Sequence, residues 1–290
     1  MNDPIPVAIF CYNRPRHLAA MLASYDACAG REHTKPFVFC DGAKDAAGME
    51  ATAAVQEVVR EWATRSGAEV EISPVNRGLS ASILHGVGKI LGQHDRVIVL
   101  EDDLIFDPSF LTFHLDGLER YVRSENVYQI SGHQWLDMPA FVPAFFAPFT
   151  TTWGWSTWRR AWQKLDVTAP GREHLETDTA LRHRYDIQGR YPFSELLKGR
   201  FRGENDSWGI LWYWTVFSQN GLVLYPPRCL VSNRGFDGSG THCERRASAA
   251  TSSQRRSSNR IRFPKRARPS RVLFEWMKRE LYRQTQVGVG

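Results

Sequence analysis

"RVIVLEDDLIF", residues 96–106, passes from apolar to acidic without a break. Val97 to Leu100 is an uninterrupted, β-branched run of the kind that suits a strand covered on both faces of a parallel sheet. Glu101, Asp102 and Asp103 therefore fall where that strand leaves the sheet. Unit charges about 4 Å apart at an effective dielectric near 20 repel by roughly 4 kcal/mol, so such a cluster calls for a cation, hydrogen bonds or water. A hard divalent metal would supply the most.

Outward from this stretch, short apolar runs alternate with amphipathic ones, the signature of βα units. "PVAIFCY" (6–12), "PFVFCDG" (36–42) and "AEVEIS" (68–73) read as strands. "NRPRHLAAMLASYDA" (13–27), with Asn13 as cap and Pro15 in the first turn, "MEATAAVQEVVREWATRSG" (49–67) and "NRGLSASILHGVGKILGQ" (76–93) read as the helices after them, the last weakened by Gly86 and Gly88. A helix over 107–124 and a strand at "VYQISG" (127–132) follow. Residues 135–152 break into Pro and aromatic residues, read as a long loop over a pocket. "GWSTWRRAWQKL" (154–165) and "SWGILWYWTVFSQNG" (207–221) look helical and "LVLYPP" (222–227) extended. The whole implies an α/β fold with a mostly parallel central sheet flanked by helices.

A chain of 290 residues, 42% hydrophobic and 12% aromatic, can bury a sizeable core, which excludes disorder throughout. Cys11, Cys28, Cys40, Cys229 and Cys243 form no Cys-x-x-Cys pair, and their odd number argues against a disulfide framework. A reducing, cytoplasmic setting is expected. No signal-like start or membrane-length apolar run is seen, so any membrane contact is expected to be peripheral, on the inner face. The net charge of +6 is uneven: Arg245 to Arg283 holds 13 Lys or Arg against Glu275 and Glu280, a net of +11, which leaves −5 for the rest.

Ligands of open α/β sheets bind beyond the carboxyl ends of the strands. Asn13 and Arg14, Asp41, Asn76 and Arg77, and Glu101 to Asp103 all map there. Each alone reads equally well as a cap or a solvated turn; their arrival at one edge is the signal.

"PVAIFCYNRPRHL", "FCDG", "NRGLSASI", "VIVLEDDLIFDPSFL", "TTWGWSTWRRAW" and "GSGTH", over residues 5–243, resemble in order the segments of nucleotide-sugar-dependent glycosyltransferases with the GT-A fold. The likeness is to the N-acetylglucosaminyltransferase I family and to bacterial family-2-like sugar transferases. It implies a metal-dependent, inverting transferase, with Asp103 on Mn2+ or Mg2+ and Glu101 and Asp102 toward the ribose and hydrated metal. Arg14, Asp41 and Arg77 match positions that hold the base, ribose and diphosphate. One or two carboxylates suffice for Mg2+, because substrate phosphates and water complete its shell. Capping by Asp102 or Asp103 fails on spacing, since Asp107 is better placed before the next helix.

In "RGENDSWGILWYW" (202–214) the resemblance makes Asp206 the base that takes the acceptor's proton, with Glu204 its rival. Asn205 and Ser207 interrupt the family's acidic pair, and either acid could instead be a helix cap. The late glycine-rich "GFDGSGTHC" (235–243) places His242 as a metal or diphosphate ligand by resemblance. His133, Trp135, Trp153 and Trp155 are acceptor-side candidates whose rings could stack on sugars, although Trp is also an ordinary core residue.

The expected organisation is a transferase domain over 1–243, a basic low-complexity linker over 244–268 and an amphipathic helix over 269–285. In that helix Leu273, Phe274, Trp276, Met277, Leu281 and Tyr282, ringed by Arg271, Lys278, Arg279 and Arg283, suit an anionic membrane surface. Packing back on the domain is the alternative. No nucleic acid is expected, for want of any binding module. The expected partners are a nucleoside-diphosphate sugar and a glycan or lipid-linked acceptor. A non-catalytic nucleotide-sugar or polysaccharide binder is the rival reading, as is a nucleotidyltransferase, which would need a glycine-rich phosphate loop that "CYNRPRHL" lacks.

Overall fold

Alternation decides the core. In β1 (Ile5–Cys11) and β4 (Arg96–Glu101), Val7, Ile9, Ile98 and Leu100 face one apolar layer, whereas Ala8, Phe10, Val97 and Val99 face the other. β1 and the Val97–Leu100 run of β4 are therefore apolar because both faces are covered. The computed structural model describes residues 3–139, 141–237 and 261–287.

The first half is α1 (Pro15–Asp26), β2 (Thr34–Cys40), α2 (Met49–Ser66), β3 (Glu69–Ile72), α3 (Gly78–Gln93), β4, β5 (Leu104–Phe106), α4 (Phe110–Arg120) and β6 (Val127–Ser131). There follow β7 (Phe145–Ala147), β8 (Trp155–Trp158), α5 (Arg159–Trp162), α6 (His174–Thr177), α7 (Thr179–Tyr185), α8 (Phe193–Phe201), α9 (Trp208–Ser218), β9 (Leu222–Tyr225), β10 (Val231–Asn233) and α10 (Arg271–Val287). Eight strands form one sheet in the order β3-β2-β1-β4-β8-β6-β9-β7, and β5 and β10 pair beside it. Strands β3, β2, β1 and β4 are mutually parallel, β8 is antiparallel to β4 and β6, and β6 runs parallel to β9. The expected α/β class, with a mixed, mostly parallel central sheet flanked by helices, is what the chain adopts. The layer under α1, α2 and α4 holds Leu18, Met21, Val55, Val59, Phe110 and Leu111; the opposite layer lies under α3 and α9.

Three expectations are corrected. "GWSTWRRAWQKL" is a strand before it is a helix: Trp155 to Trp158 enters the middle of the sheet, all four residues buried, with Trp155 in one layer and Trp158 in the other. Large aromatic and hydroxyl residues fill a two-faced strand better than a helix surface. Residues 135–152 are not one loop, because Phe145–Ala147 pairs with β9 as the last strand of the sheet. Finally, α1 starts after Arg14, and no side chain caps it.

The basic C-terminal region differs most. Residues 261–270 run along β7: Ala144 N–H donates to the Arg262 carbonyl (2.8 Å), Ser270 N–H to that of Phe146 (2.8 Å), and Phe263 stacks on Phe113 (5.4 Å). Leu273, Phe274 and Met277 of α10 pack on the layer under α9, and Leu281 on the aromatic cluster around α7 and α8. Four of the six residues expected to face a membrane thus cover the domain, whereas Tyr282, like Trp276, is exposed, and residues 261–268 are packed chain rather than linker. Val272 and Trp276 remain outside. The reason is the sheet edge: β7 would otherwise leave its backbone groups and flanking aromatics to solvent. Among the described residues no helix is long and apolar enough to cross a membrane.

Candidate active site

The carboxyl ends of β1, β2 and β4 lie side by side, since Phe10 is the register partner of both Phe39 and Glu101. Asp41, directly after β2, is buried, and its Oδ1 accepts from Arg77 N–H (2.8 Å) and Gly42 N–H (3.0 Å) while Oδ2 accepts from Gly78 N–H (2.9 Å). A carboxylate from one element thus satisfies orphan donors at the start of α3. Both its oxygens are committed to backbone, which makes Asp41 the fixture of the β2–α3 corner rather than a free ligand for a nucleoside. Gly86 lets α3 settle on the sheet: a β-carbon there would meet the Phe10 ring at 2.7 Å.

Arg77, expected with Arg14 and Asp41 to hold the nucleotide sugar, turns to the sheet margin, where its Nη1 lies 3.2 Å from Glu71. His85 (2.8 Å) and Lys89 (2.7 Å) reach the same carboxylate. Burial raises Glu71, but these hydrogen bonds outweigh it and hold the group at about 2.

At the β4–β5 turn the three acids are held differently. Asp102 and Asp103 are buried, and one guanidinium, that of Arg14, binds both: Nη2 donates to Asp102 Oδ1 and lies 3.1 Å from Asp103 Oδ2. Tyr12 N–H adds a contact to Asp102 Oδ2 (3.4 Å). Asp103 Oδ1 is buried with no hydrogen-bond partner. Burial pushes Asp102 up to about 6 against the pull of Arg14, and pushes Glu101 to about 8, with Asp103 and Asp102 adding repulsion. The turn is closed from above by the chain after β10. Arg234 N–H donates to the Asp103 carbonyl (2.8 Å), and a β-carbon on Gly235 would stand 2.3 Å from Asp103 Oδ2 and 2.9 Å from Arg14 Nη1.

A buried, unpartnered carboxylate oxygen beside two further acids suits a hard cation that takes oxygen ligands. Among the described residues no group of three or more His, Cys, Asp or Glu side chains is arranged to hold a metal, so a cation at Asp103 would complete its shell from phosphate oxygens and water. His242 lies outside the described residues.

Asp206 and Glu204 part company. Ser207 caps α9, its Oγ accepting from Ile210 N–H (3.3 Å), so neither acid is needed there. Asp206 is 54% exposed, lies 3.4 Å from Arg200 of α8, and has Oδ2 3.7 Å from where a β-carbon on Gly78 would stand. That puts it at the start of α3, on the same edge of the sheet as the acidic turn. Glu204 instead pairs with Arg202 (2.8 Å) and sits against Gly199 at the end of α8.

Three of the four aromatic candidates gather at this edge. His133 packs 4.3 Å from Trp153 and 5.2 Å from Trp135, and Trp153 meets Phe236, the neighbour of Gly235, at 5.5 Å. Burial pushes His133 down to about 3, so it is a neutral ring. Trp155 is fully buried against Trp208 (5.2 Å), Trp162 and Trp212 (both 5.9 Å) and cannot meet a sugar. Its place in the middle of the sheet, which the helical reading hid, accounts for this. Arg200, Gly235 and Phe236 were not singled out in the sequence. Only the glycine-rich setting of Gly235 gave a signal.

No protein-family model and no curated protein matches the chain. Partial likeness exists to solved structures. One is the mannosyltransferase PcManGT from Pyrobaculum calidifontis in complex with GDP-Man and Mn2+, 15% identical over 54% of this chain and 45% of that one, TM-score 0.39. TarS 1–349 of S. aureus is 12% identical over 54% and 47%, TM-score 0.38. The glucosyl-3-phosphoglycerate synthase from Mycobacterium tuberculosis, with Mn2+, UDP and glucosyl-3-phosphoglycerate, is 14% identical over 57% and 58%, TM-score 0.36. The match spans about half the length of each of these structures.

Proposed function

We propose that the chain is a GT-A-type glycosyltransferase that moves a sugar, with inversion, from a nucleoside diphosphate to a hydroxyl of a glycan, lipid-linked glycan or protein. The observation that carries the reading is the buried, unpartnered oxygen of Asp103 at the end of a central strand, with the exposed carboxylate of Asp206 on the same edge of the sheet. Inversion needs an acceptor oxygen to attack the anomeric carbon as the bond to the diphosphate breaks on the opposite side. Asp206 takes the proton from that hydroxyl. Arg14 supplies positive charge for the departing diphosphate, and Trp153, His133 and Trp135 form an apolar wall against which an acceptor ring can lie. Mn2+ or Mg2+ at Asp103, when bound, supplies charge neutralisation for the leaving group. Asp41 and Gly78 hold the α3 corner against which Asp206 is set.

The test is thermal stabilisation by UDP, GDP, dTDP, ADP and CDP with and without Mn2+ or Mg2+, followed by release of nucleoside diphosphate from the matching sugar donors. Metal-dependent stabilisation by one of them supports the reading and names the donor base. A chain stabilised by none, in either metal, is not a nucleotide-sugar enzyme.

A further inference from the structure

We infer that Arg14 is the resident counter-ion of the acidic turn, so that a divalent cation and a nucleoside diphosphate bind with positive coupling, the diphosphate drawing Arg14 off the carboxylates. The inference rests on the proposed donor-binding role of this edge.

One guanidinium serves both buried acids: Nη2 bonds Asp102 Oδ1 and lies 3.1 Å from Asp103 Oδ2. With no metal, this is how adjacent buried charges become tolerable, because an unpaired buried carboxylate costs far more than a paired one. The same contact sets a barrier. A cation approaching Asp103 finds Oδ1 without a partner but Oδ2 engaged, with a positive charge a few ångströms away and the Gly235 backbone closing the other side. Arg14 need not stay there. It precedes Pro15, the first residue of α1, no side-chain bond caps that helix end, and its own side chain is 18% exposed, so the guanidinium reaches the rim of the site. A diphosphate at the rim offers a planar fork more anionic oxygens than two carboxylates already crowded by each other. Once Arg14 turns to it, Asp103 Oδ2 is released and the cation loses its electrostatic competitor. Because linkage is reciprocal, the cation must tighten diphosphate binding by the same factor.

The experiment measures Mn2+ affinity of the full chain by calorimetry, with and without UDP or GDP and with the Mn2+ held by nucleotide alone subtracted, for wild type, Arg14→Gln and Arg14→Lys. Wild type should bind Mn2+ weakly alone and about tenfold or more tightly with the nucleotide that fits, the size expected of one unit charge a few ångströms away in a partly buried site. Arg14→Gln should bind Mn2+ alone about tenfold more tightly than wild type and gain less from nucleotide than wild type does, keeping only the part that the phosphate oxygens supply as ligands. Arg14→Lys, which keeps the charge, should bind Mn2+ alone as weakly as wild type. Should Arg14→Gln fail to fold, Arg14→Met, which also removes the charge, takes its place. Equal Mn2+ affinity in wild type with and without nucleotide, or in wild type and Arg14→Gln, overturns the counter-ion role while leaving the metal reading intact. Absence of Mn2+ binding in every protein, nucleotide present or not, overturns the metal reading itself and the inference with it.

Discussion

Asp206 Oδ2 lies 3.7 Å from the point where Gly78 would carry a β-carbon, and Gly78 holds a φ of +77° while donating its N–H to Asp41 Oδ2. The left-handed backbone, not lack of room, is what requires glycine there, since 3.7 Å is ordinary contact. Gly78→Ala should therefore cost about 1–2 kcal/mol in denaturant unfolding. Turnover should fall further than this loss explains, because the new methyl lies against the carboxylate proposed as the base. An unchanged turnover with the stability loss present would separate the α3 corner from the chemistry.

Asp206→Asn should retain donor and metal affinity and lose on the order of 10² to 10⁴ in kcat, the range of general-base catalysis. Glu204→Gln should stay near wild type, since Glu204 pairs with Arg202 and sits against Gly199 at the end of α8. A larger kcat loss in Glu204→Gln with binding intact would reverse the assignment. Loss of donor affinity in Asp206→Asn would make that carboxylate part of the binding site.

How much of this was legible in the sequence depends on the range of the interaction. The run ending in Glu101–Asp103 and the βα order before it are local patterns, and they placed four parallel strands and the acidic turn. Trp155–Trp158 was misread because a two-faced central strand and a buried helix look alike in composition. The partners were not legible at all: Arg14 and Asp102 are 88 residues apart, and Arg77 N–H and Asp41 are separated by 36. Nor does any local rule say that the basic tail returns to β7. Its amphipathic pattern is equally suited to lipid and to a sheet edge, and only the edge of Phe145–Ala147 turned away from β9 decides between them.

Gly235→Ala should disturb the acidic turn directly. A β-carbon 2.3 Å from Asp103 Oδ2 forces either that carboxylate or the 233–237 turn to move, and Gly235 N–H is tied to Asn233 Oδ1 at 2.6 Å. Overpacking of this kind costs about 1–3 kcal/mol. Metal-dependent nucleotide stabilisation should be lost, while metal-independent Tm falls only by that overpacking cost. Retained Mn2+-dependent stabilisation would show that the Gly235 turn does not close on the cation site.

His114 gives a pH signature away from the site. The ring is fully buried between Phe110 and Phe113, its Nδ1 is 2.8 Å from Ser156 Oγ, its Nε2 has no partner, and burial pushes it down to about 3. In the unfolded chain it titrates near 6.5, so between about 3 and 6.5 the unfolded state binds the extra proton and stability rises with pH. The contribution is complete above about 6.5 and is lost as pH falls through that window. His114→Phe should therefore lose less stability than wild type between neutral pH and about pH 4.5. His133 adds slope of the same sign, and the raised Glu101 and Asp102 the opposite sign, in both proteins. The difference between the two curves is the readout, and parallel curves would remove His114 as a contributor.

The C-terminal region offers the last contrast, because covering a sheet edge and anchoring to lipid predict opposite costs. Met277 is 1% exposed within the layer under α9, Phe263 stacks 5.4 Å from Phe113, and Tyr121 Oη donates to the Pro264 carbonyl at 2.6 Å. Truncating a buried Met to Ala costs about 2–5 kcal/mol, so Met277→Ala should lower stability measurably in the absence of any membrane. Phe263→Ala, at a partly buried position, should cost somewhat less. Removal of residues 261–290 should cost more than either, exposing Phe146 and the β7 backbone, and should promote association through that edge. Trp276→Ala is the control: Trp276 is 50% exposed on the outer side of α10, and its loss should leave unfolding unchanged within about 0.5 kcal/mol. If Met277→Ala and Phe263→Ala unfolded at the wild-type midpoint while Trp276→Ala alone weakened binding to anionic vesicles, α10 would be a lipid-facing appendage and not part of the fold. If the costs fall on Met277 and Phe263, the helix belongs to the domain, with Lys278 buried beside Glu275 and Trp276 left on the outer side.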